Sequence, residues 1–252
     1  MSSLGSERLR VLVVTTECEP FWEETAAAHY VSQLPQRLAA QYDVRIIMPK
    51  YGLIDDRRWR LHEVKRLSGI NIRVGHMDYA LYGKVASIPG TRTQVYFLDN
   101  HEFWGRKGLF TDPETQLPYA DNDERIIFFS KGVIAVLKTL KWAPHIIHCN
   151  GWMTALLTLY LKYHLSRDPF FSGVKLLFTQ YETSIPDLRF SPNLPEKARI
   201  DGHIPEPFLR LAGDPYARLL EETRCGVETH QGFPAPETWV EYYQSLLSHS
   251  PV

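Results

Sequence analysis

Four glutamates follow the first apolar segment of the chain, where an α/β protein would pass from its first strand into its first helix. Residues 15–29 read TTECEPFWEETAAAH and place carboxylates at Glu17, Glu19, Glu23 and Glu24. Loops that bind phosphate at such a turn need glycines, which let the backbone approach the ligand, and a cation or a helix N-terminus that attracts it. The chain has no glycine from residue 6 to residue 51. The stretch is therefore either a solvated acidic loop or a surface for a cationic partner.

Other polar residues come at the predicted ends of later strands. In open parallel sheets the ligand crevice lies beyond the carboxyl ends of the strands. We therefore expect it to be lined by segments 17–28, 100–106, 150–153 and 180–186, and the third of these contains Asn150, Trp152 and Met153.

Histidine and cysteine spacing does not predict a metal site. His145 and His148 are three residues apart on a predicted strand, so they face opposite sides of a sheet, and we expect His148 to be structural. Cys18, Cys149 and Cys225 are widely separated and form no CxxC pair, which argues against disulfides and against a zinc ribbon. The sequence predicts reduced, mostly buried thiols, with no metal and no cofactor.

The elements that position these residues begin with a predicted β-α-β unit, which implies a parallel sheet. Residues 9–16 and 44–48 read as strands on either side of a helix. The helix is indicated by the apolar spacing of Tyr30, Val31, Leu34 and Leu38. Residues 70–98 predict a small antiparallel excursion, with strands at 79–88 and 93–98 and a hairpin turn at Pro89-Gly90.

The α/β alternation continues in the second half of the sequence. Asp121 and Glu124 resemble a capping box that opens an apolar helix ending at Ala143-Pro144. A strand at 145–149, a helix at 152–163 and a strand at 174–179 follow. Residues 183–205 predict a long irregular connection, 206–221 a helix, and 225–229 a short strand. The predicted fold class is α/β, a Rossmann-like doubly wound, mostly parallel sheet with a small antiparallel insertion.

Aromatic residues are predicted to serve mainly in the core. A terminal helix is indicated by the spacing of Trp239, Tyr242, Tyr243, Leu246 and Leu247, and its apolar face is either core or an interface to a protein partner or second copy. Trp104, Trp142 and Trp152 are predicted to be core.

Composition describes an ordinary soluble globular chain. The 252 residues include 44% hydrophobic residues, and 28 Lys+Arg against 29 Asp+Glu leave a net charge of −1. No overall field favours nucleic acid or an anionic membrane. No stretch approaches the roughly 18 apolar residues of a membrane span, and no signal peptide is evident at the start, so we expect a cytoplasmic protein.

Several ordered stretches carry a family resemblance over roughly residues 9–180. They are VLVVTTECEPF, VRIIMPKYG, VYFLDNHEFWGRKGLF, DNDERIIFFSKG and APHIIHCNGWMTALLTLYLK. In these the chain resembles the N-terminal half of bacterial glycogen and starch synthases, ADP-glucose-dependent glycosyltransferases of family 5 with the two-domain GT-B fold. It looks in particular like the short, single-half members found in the Bacteroidota.

The resemblance places altered residues at the positions that carry chemistry. The family has K-x-G-G-L-A-D at the first turn, where its lysine faces the phosphates of the nucleotide sugar. Here these places fall on Glu23, Thr25, Ala26, Ala27 and His29. The loop therefore resembles a degenerate donor loop that is expected to repel a diphosphate.

The acceptor side of the family pattern survives in part. The family's H-D-W-H falls on Asn150, Gly151, Trp152 and Met153, so the tryptophan remains and both histidines are gone. Asp121-Asn122 matches a D-N pair that the family carries near its acceptor site. Phe103-Trp104 lies where the family approaches its glucan, which leaves sugar stacking as an alternative to a core role.

The resemblance implies a single acceptor-side domain over residues 1–252, with the family's C-terminal donor-binding domain absent. The first hypothesis is then a protein that cannot transfer glucose alone: a binding, regulatory or interaction subunit, with a glucan or maltooligosaccharide as ligand. The alternative is an ADP-glucose-dependent α-1,4-glucan glucosyltransferase whose donor domain a partner supplies. A third reading is an unrelated enzyme whose acidic crevice takes a cationic substrate.

Overall fold

The computed structural model describes residues 8–23, 25–181, 188–224, 227–232 and 238–248. Its strands are β1 (Leu9–Val14), β2 (Tyr42–Pro49), β3 (His62–Glu63), β4 (Ile70–Val74), β5 (Met77–Ser87), β6 (Gln94–Asp99), β7 (Ile146–Asn150), β8 (Lys175–Gln180) and β9 (Glu228–Gln231). Its helices are α1 (Ala26–Leu38), α2 (His101–Trp104), α3 (Asn122–Leu140), α4 (Ala155–Tyr163), α5 (Leu194–Ala198), α6 (Glu206–Leu211), α7 (Ala217–Arg224) and α8 (Thr238–Ser248).

One mixed sheet organises the chain, in the order β3-β5-β6-β2-β1-β7-β8-β9, with β4 paired to β5. The pairs from β6 through β9 are all parallel. From β1 the chain first builds outward through β2 and β6 and then crosses to β7 on the other side, so β1 and β7 flank a topological switch point. The predicted α/β class with a mostly parallel sheet is confirmed, and the carboxyl ends of β1 and β7 are where a ligand crevice is expected.

The antiparallel insertion is also confirmed. Strand β5 pairs antiparallel with β4 and β6, and the backbone of Ile88 and Thr93 closes the hairpin. Gly90 adopts φ +75 in the turn, a left-handed conformation that glycine tolerates without strain.

The segment after β8 differs from the prediction. The single helix expected at 206–221 is wrong: the chain forms α6 and α7, separated at Gly213, which has φ +75, and at Pro215. Proline lacks the N–H that a continuous helix needs. The connection at 183–205 contains the short helix α5, and the last strand begins at residue 228 instead of 225. Residues 182–187 and Cys225 lie outside the described residues.

Buried cysteines agree with the predicted thiols. Cys18 and Cys149 are free and fully buried. Burial, reinforced by Glu19, raises the pKa of the Cys18 thiol to about 12, and burial raises that of Cys149 as well. Among the described residues no helix is long and apolar enough to cross a membrane, and no cluster of three or more metal-ligating side chains occurs.

The terminal helix α8 packs into the core through its aromatic residues. Trp239 and Tyr243 are 1% and 0% exposed, while Tyr242 is half-buried. The Trp239 ring lies 4.7 Å from the ring of His148 on β7. The core interpretation of this aromatic stripe is confirmed for its two most buried members, and a partner or second copy at this helix stays a prediction.

His148 is the polar centre of that packing. Its Nδ1 lies 2.6 Å from the hydroxyl of Tyr243, and its Nε2 lies 2.8 Å from the hydroxyl of Thr179 on β8. Both ring nitrogens are used inside the protein, so the predicted structural role is confirmed. Burial, and secondarily the neighbouring His230, lower the pKa of His148 to about 3.

This buried imidazole predicts acid sensitivity. Its pKa in the fold lies below the value of about 6.5 in an unfolded chain, so protonation favours unfolding once the pH falls below 6.5. We expect the free energy of unfolding to drop by about 2 kcal/mol from pH 7 to pH 5, at roughly 1.4 kcal/mol per unit below pH 6.5. Urea denaturation of the wild type and of His148→Gln measures it, with a flatter profile expected for the variant. Equal slopes in the two proteins would assign the loss to other groups.

Candidate functional site

A crevice of about 490 Å³ opens at the carboxyl ends of β1 and β7. Thr16, Glu17 and Thr25 line it from the loop after β1, and Trp152 lines it from the turn after β7. Its outer side is formed by residues 105–119, which we call the wall loop and which contribute Lys107 and neighbouring residues. The crevice therefore lies at the switch point of the sheet.

Glu17 is the one acidic-loop carboxylate that lines this crevice among the described residues. It is 6% exposed, and its Oε2 accepts a hydrogen bond from the backbone N–H of Thr25 at 2.8 Å. The hydroxyl of Thr25 donates to Oε1 at 3.3 Å. The buried carboxylate therefore ties the end of the loop to its beginning.

Three backbone N–H groups at the N-terminus of α1 donate to the chain's own oxygens. Thr25 is its N-cap residue: the side-chain oxygen accepts from the N–H of Ala27 at 3.2 Å, and the carbonyl accepts from the N–H of Ala28 at 3.1 Å. Helix N-termini attract anions because their first N–H groups lack partners within the helix. Here the N–H groups of Thr25, Ala27 and Ala28 already have acceptors, one of which is the carboxylate of Glu17.

The other sequence-predicted residues of the loop lie outside the crevice lining. Glu23 and Ala26 are exposed. His29 is exposed too, and its Nδ1 lies 2.6 Å from Oε2 of Glu19, so this acidic side chain has a partner within the loop. Glu24 lies outside the described residues. The structure thus brings Glu17 and Thr25 together at the crevice and leaves Glu23, Ala26 and His29 at the surface.

The end of β7 and the turn after it place one of the three predicted residues at the crevice. Asn150 is 1% exposed, and its amide donates to the carbonyl of His148 at 2.9 Å and accepts from the hydroxyl of Tyr181 at 2.6 Å. Met153 is 1% exposed and packs in the core. Trp152 lines the crevice and packs in a tilted arrangement against Phe110 of the wall loop, with 4.8 Å between the ring centroids.

Asp121 occupies the N-cap position of α3, but the predicted capping box is wrong. Its side chain makes no capping hydrogen bond. The guanidinium of Arg106 instead donates to both oxygens of Asp121, at 2.6 and 2.5 Å, and Glu124 pairs with Lys197 at 2.7 Å. Charged partners from distant segments therefore take both carboxylates that a capping box would use.

Asn122 and Arg125 hold the wall loop from behind. The amide of Asn122 donates to the carbonyl of Phe110 at 2.8 Å. The guanidinium of Arg125, only 1% exposed, donates to the carbonyls of Phe103 at 3.0 Å and Leu109 at 2.5 Å, and to Asn122 Oδ1 at 2.8 Å. Burial lowers the pKa of Arg125 to about 10, which leaves it charged at neutral pH.

Sequence reasoning did not find Arg106, Lys107 or Arg125. The available signal was an arginine directly before the apolar run Ile126–Phe129, because a charge that is buried with such a run needs a specific set of acceptors. The carbonyls that Arg125 holds lie 16 and 22 residues away in sequence, so the pairing itself is not visible in the pattern.

Replacement of Asp121 by asparagine is expected to loosen the wall loop with little loss of global stability. The Arg106–Asp121 pair is about 30% and 25% exposed, and such pairs contribute about 1 kcal/mol or less. We expect trypsin to cut faster after Arg106 while urea denaturation changes slightly. Glu114→Gln, which removes the exposed partner of Lys107 in the same loop, is the matched control. Unchanged cleavage in the Asp121 variant would contradict a fastening role for this pair.

The tryptophans agree with the core prediction. Trp104, Trp142 and Trp152 are 0%, 6% and 4% exposed. Phe103 is 2% exposed, and its ring lies 4.6 Å from that of Tyr79. The sugar-stacking alternative for Phe103-Trp104 is wrong in this conformation, because both rings are enclosed by the core.

Comparison with known proteins matches both the sequence and the fold. Residues 10–204 match the family model described as the starch synthase catalytic domain. A glycogen synthase of Chlorobium limicola is 38% identical over 199 residues, covering 77% of this chain and 41% of the relative. One from Pelodictyon phaeoclathratiforme is 35% identical over 227 residues, covering 87% and 46%. The chain thus spans less than half the length of these curated relatives.

A solved structure supports the fold independently. The catalytic domain of starch synthase IV from Arabidopsis thaliana, bound to ADP and acarbose, aligns with a TM-score of 0.59 at 16% identity. The alignment covers 92% of this chain and 52% of that structure. At this identity the likeness establishes a shared α/β architecture.

Proposed function

The chain belongs to the starch synthase catalytic domain family, and from that premise we propose that it acts as a glucan-binding or interaction subunit that does not transfer glucose by itself. Its ligand is a maltooligosaccharide or a larger glucan, held in the crevice between β1 and β7. Its acidic loop does not take the diphosphate of a nucleotide sugar. No cofactor is required for this role.

The observation that carries the proposal is that three N–H groups at the N-terminus of α1 already donate to oxygens of the chain itself. A diphosphate at this turn would need backbone donors, and the N–H groups of Thr25 and Ala27 already donate to Glu17 and to the Thr25 hydroxyl. An incoming phosphate would compete with the Glu17 carboxylate for the first donor and would be repelled by its charge. Buried carboxylates that lose their donors are destabilised, so displacement is costly.

Residue types around the loop support the same conclusion. Where family members carry lysine, this chain has Glu23, and where they carry two glycines it has Thr25 and Ala26. Transfer from a nucleotide sugar needs positive groups that meet the charge developing on the departing diphosphate. The loop after β1 offers carboxylates in that region.

The acceptor side of the crevice retains features suited to an oligosaccharide. The wall loop, fixed by Asn122 and Arg125, presents Thr111 and Gln116 beside the crevice. The partly exposed ring of Phe110, which packs on the buried Trp152, also lines it. Polar groups beside an aromatic surface suit sugar hydroxyls and ring faces. These features support glucan binding without a phosphate site.

The alternative is an ADP-glucose-dependent α-1,4-glucan glucosyltransferase whose donor domain a partner supplies. The length of the relatives favours this alternative, because the glycogen synthases matched here extend well beyond the segment that aligns with this chain. On this view the acidic loop is rearranged when the donor domain closes over the crevice.

Titration calorimetry of the purified chain with maltoheptaose and with ADP-glucose tests the proposal. We expect maltoheptaose to give binding heat and ADP-glucose to give none at concentrations up to about 5 mM. Over this range, binding with a free energy weaker than about −4 kcal/mol becomes undetectable. Micromolar binding of ADP-glucose would overturn the proposal in favour of the transferase. Absence of heat from both ligands would overturn glucan binding.

A crevice variant locates the oligosaccharide. Gln116→Ala changes an exposed side chain beside the crevice and should weaken maltoheptaose binding. Gln36→Ala, an exposed glutamine on α1 away from the crevice, is the matched control and should bind as the wild type does. Equal affinities in the two variants would contradict the crevice as the binding site.

A further inference from the structure

A second cavity, of about 630 Å³, lies at the amino end of β6, whereas the wall loop lies beyond the carboxyl end of that strand. It is formed by the segment that leads into β3 and by the β5–β6 hairpin. We call it the basic cavity and define it by six of its lining residues: Arg58, Trp59, Arg60, His62, Ser87 and Gln94. It shares no lining residue with the crevice.

Its charge is of one sign. Arg58, Arg60 and His62 are exposed, and the cavity lining contains no aspartate or glutamate among the described residues. Within the described part of the chain, neither Arg58 nor Arg60 has an ion pair. The carboxylates next to them in sequence are engaged elsewhere: Asp55 accepts from the backbone N–H groups of Arg57 and Arg58, and Asp56 pairs with two lysines.

Backbone hydrogen bonds hold the turn that carries the two arginines. Asp55 holds the start of the turn through bonds of 2.8 and 2.9 Å, and the N–H of Leu61 donates to the carbonyl of Asp56 at 2.9 Å. The Trp59 ring packs edge-on against Phe21 at 5.4 Å, and the Arg58 guanidinium lies 4.6 Å from its centre. The turn is therefore anchored to the core through Trp59.

Arg60 adopts a backbone conformation that favours glycine. Its φ is +51, which costs a non-glycine residue free energy unless the surroundings impose it. The conformation sets the Arg60 side chain beside the cavity instead of continuing the preceding turn. A glycine here would relieve the strain and would lose the guanidinium.

We propose that the basic cavity binds a phosphorylated monosaccharide. The guanidinium groups of Arg58 and Arg60, which form no ion pair with the described residues, can each donate two hydrogen bonds to phosphate oxygens, a geometry that arginine provides and lysine does not. Ser87 and Gln94 supply hydrogen-bonding groups for sugar hydroxyls, and Trp59 supplies an apolar surface for the ring. The proposal is independent of glucan binding in the crevice.

Calorimetry of the full chain with glucose 1-phosphate, glucose 6-phosphate, inorganic phosphate and maltose tests it. We expect at least one of the two sugar phosphates to bind. Any heat from maltose should be the same in the wild type and in variants of Arg58 and Arg60. Arg58→Gln/Arg60→Gln should weaken sugar-phosphate binding by about tenfold or more, because charge-assisted hydrogen bonds to both guanidinium groups are lost. Arg57→Gln, an exposed arginine of the same turn that does not line the cavity, is the matched control.

Two further variants separate binding from folding and from the crevice. Arg60→Gly should weaken binding while the melting temperature stays at or above that of the wild type, since the strained conformation is relieved. Lys107→Gln changes a cation of the crevice and should leave sugar-phosphate binding intact.

Several outcomes would overturn the proposal. These are absence of binding by either sugar phosphate up to about 10 mM, equal affinity in the double variant and the wild type, and an equal loss in Arg57→Gln. Binding of inorganic phosphate as tight as that of both sugar phosphates would overturn the assignment of a monosaccharide.

Discussion

Replacement of Trp239 by alanine is expected to lower the free energy of unfolding by about 3–5 kcal/mol, the range for truncating a fully buried aromatic side chain. Trp239 is 1% exposed, its indole N–H donates to the hydroxyl of Tyr30 on α1, and its ring packs on His148 of β7. Helix α8 lies beyond residue 204, where the match to the family model ends. A loss of this size would show that α8 is an integral part of the domain.

Chemical denaturation measures this effect when unfolding is monitored by the circular dichroism of the backbone, a signal that does not depend on the tryptophan removed. Glu241→Ala, an exposed residue on the same helix, is the control and should change the stability by no more than about 0.5 kcal/mol. A loss below about 1 kcal/mol for Trp239→Ala would mean that α8 contributes little to folding, because truncation of a well-packed core tryptophan typically costs about 3–5 kcal/mol.

The second large effect is expected at Arg125. Arg125→Met keeps a similar length of apolar side chain but leaves the carbonyls of Phe103 and Leu109 without their donor. Each unsatisfied buried polar group costs about 1–3 kcal/mol, and relief of the buried charge offsets part of the sum, so we expect a net loss of about 3 kcal/mol. The wall loop should also become more accessible to protease, because its attachment to α3 is weakened.

Arg106→Met is the matched control for this prediction. Arg106 serves the same wall loop through the partly exposed pair with Asp121, and its loss should cost about 1 kcal/mol or less. Hydrogen exchange of residues 105–119 would distinguish the two variants, with faster exchange near Leu109 expected in Arg125→Met. Equal stability losses in the two arginine variants would contradict a central role for the buried guanidinium.

Local patterns were sufficient to predict most of the elements. The apolar segment at 9–16 and the helical spacing from Tyr30 to Leu38 correspond to β1 and α1, and Pro89-Gly90 marks the hairpin between β5 and β6. The split between α6 and α7 was also encoded locally, by Gly213 and Pro215, but helical spacing on both sides of them favoured one continuous helix.

Long-range charge pairing could not be predicted from the sequence. Asp121 and Glu124 have the spacing of a capping box, yet Arg106 and Lys197, which lie 15 and 73 residues away, bind these carboxylates in the structure. A bidentate pair with a guanidinium is a stronger interaction than a single bond to a backbone N–H, so tertiary contact decided against the local motif.

The acidic loop shows the same limit at the candidate site. The sequence predicted four carboxylates near a crevice, and of the three described ones Glu17 lines it, whereas Glu19 pairs with His29 and Glu23 is exposed. The sequence alone does not specify that Glu17 turns inward to bind the N–H of Thr25, because this contact depends on how the loop folds back over eight residues.

The most direct test of the central claim follows the backbone amides of the α1 N-terminus by ¹H–¹⁵N NMR as ADP-glucose is added. If the chain's own oxygens satisfy these donors, the resonances of Thr25, Ala27 and Ala28 should not move at about 5 mM ADP-glucose, while maltoheptaose shifts amides of the crevice wall such as Thr111. Saturable shifts of Thr25, Ala27 and Ala28 with ADP-glucose would contradict the account and would place the diphosphate at this helix.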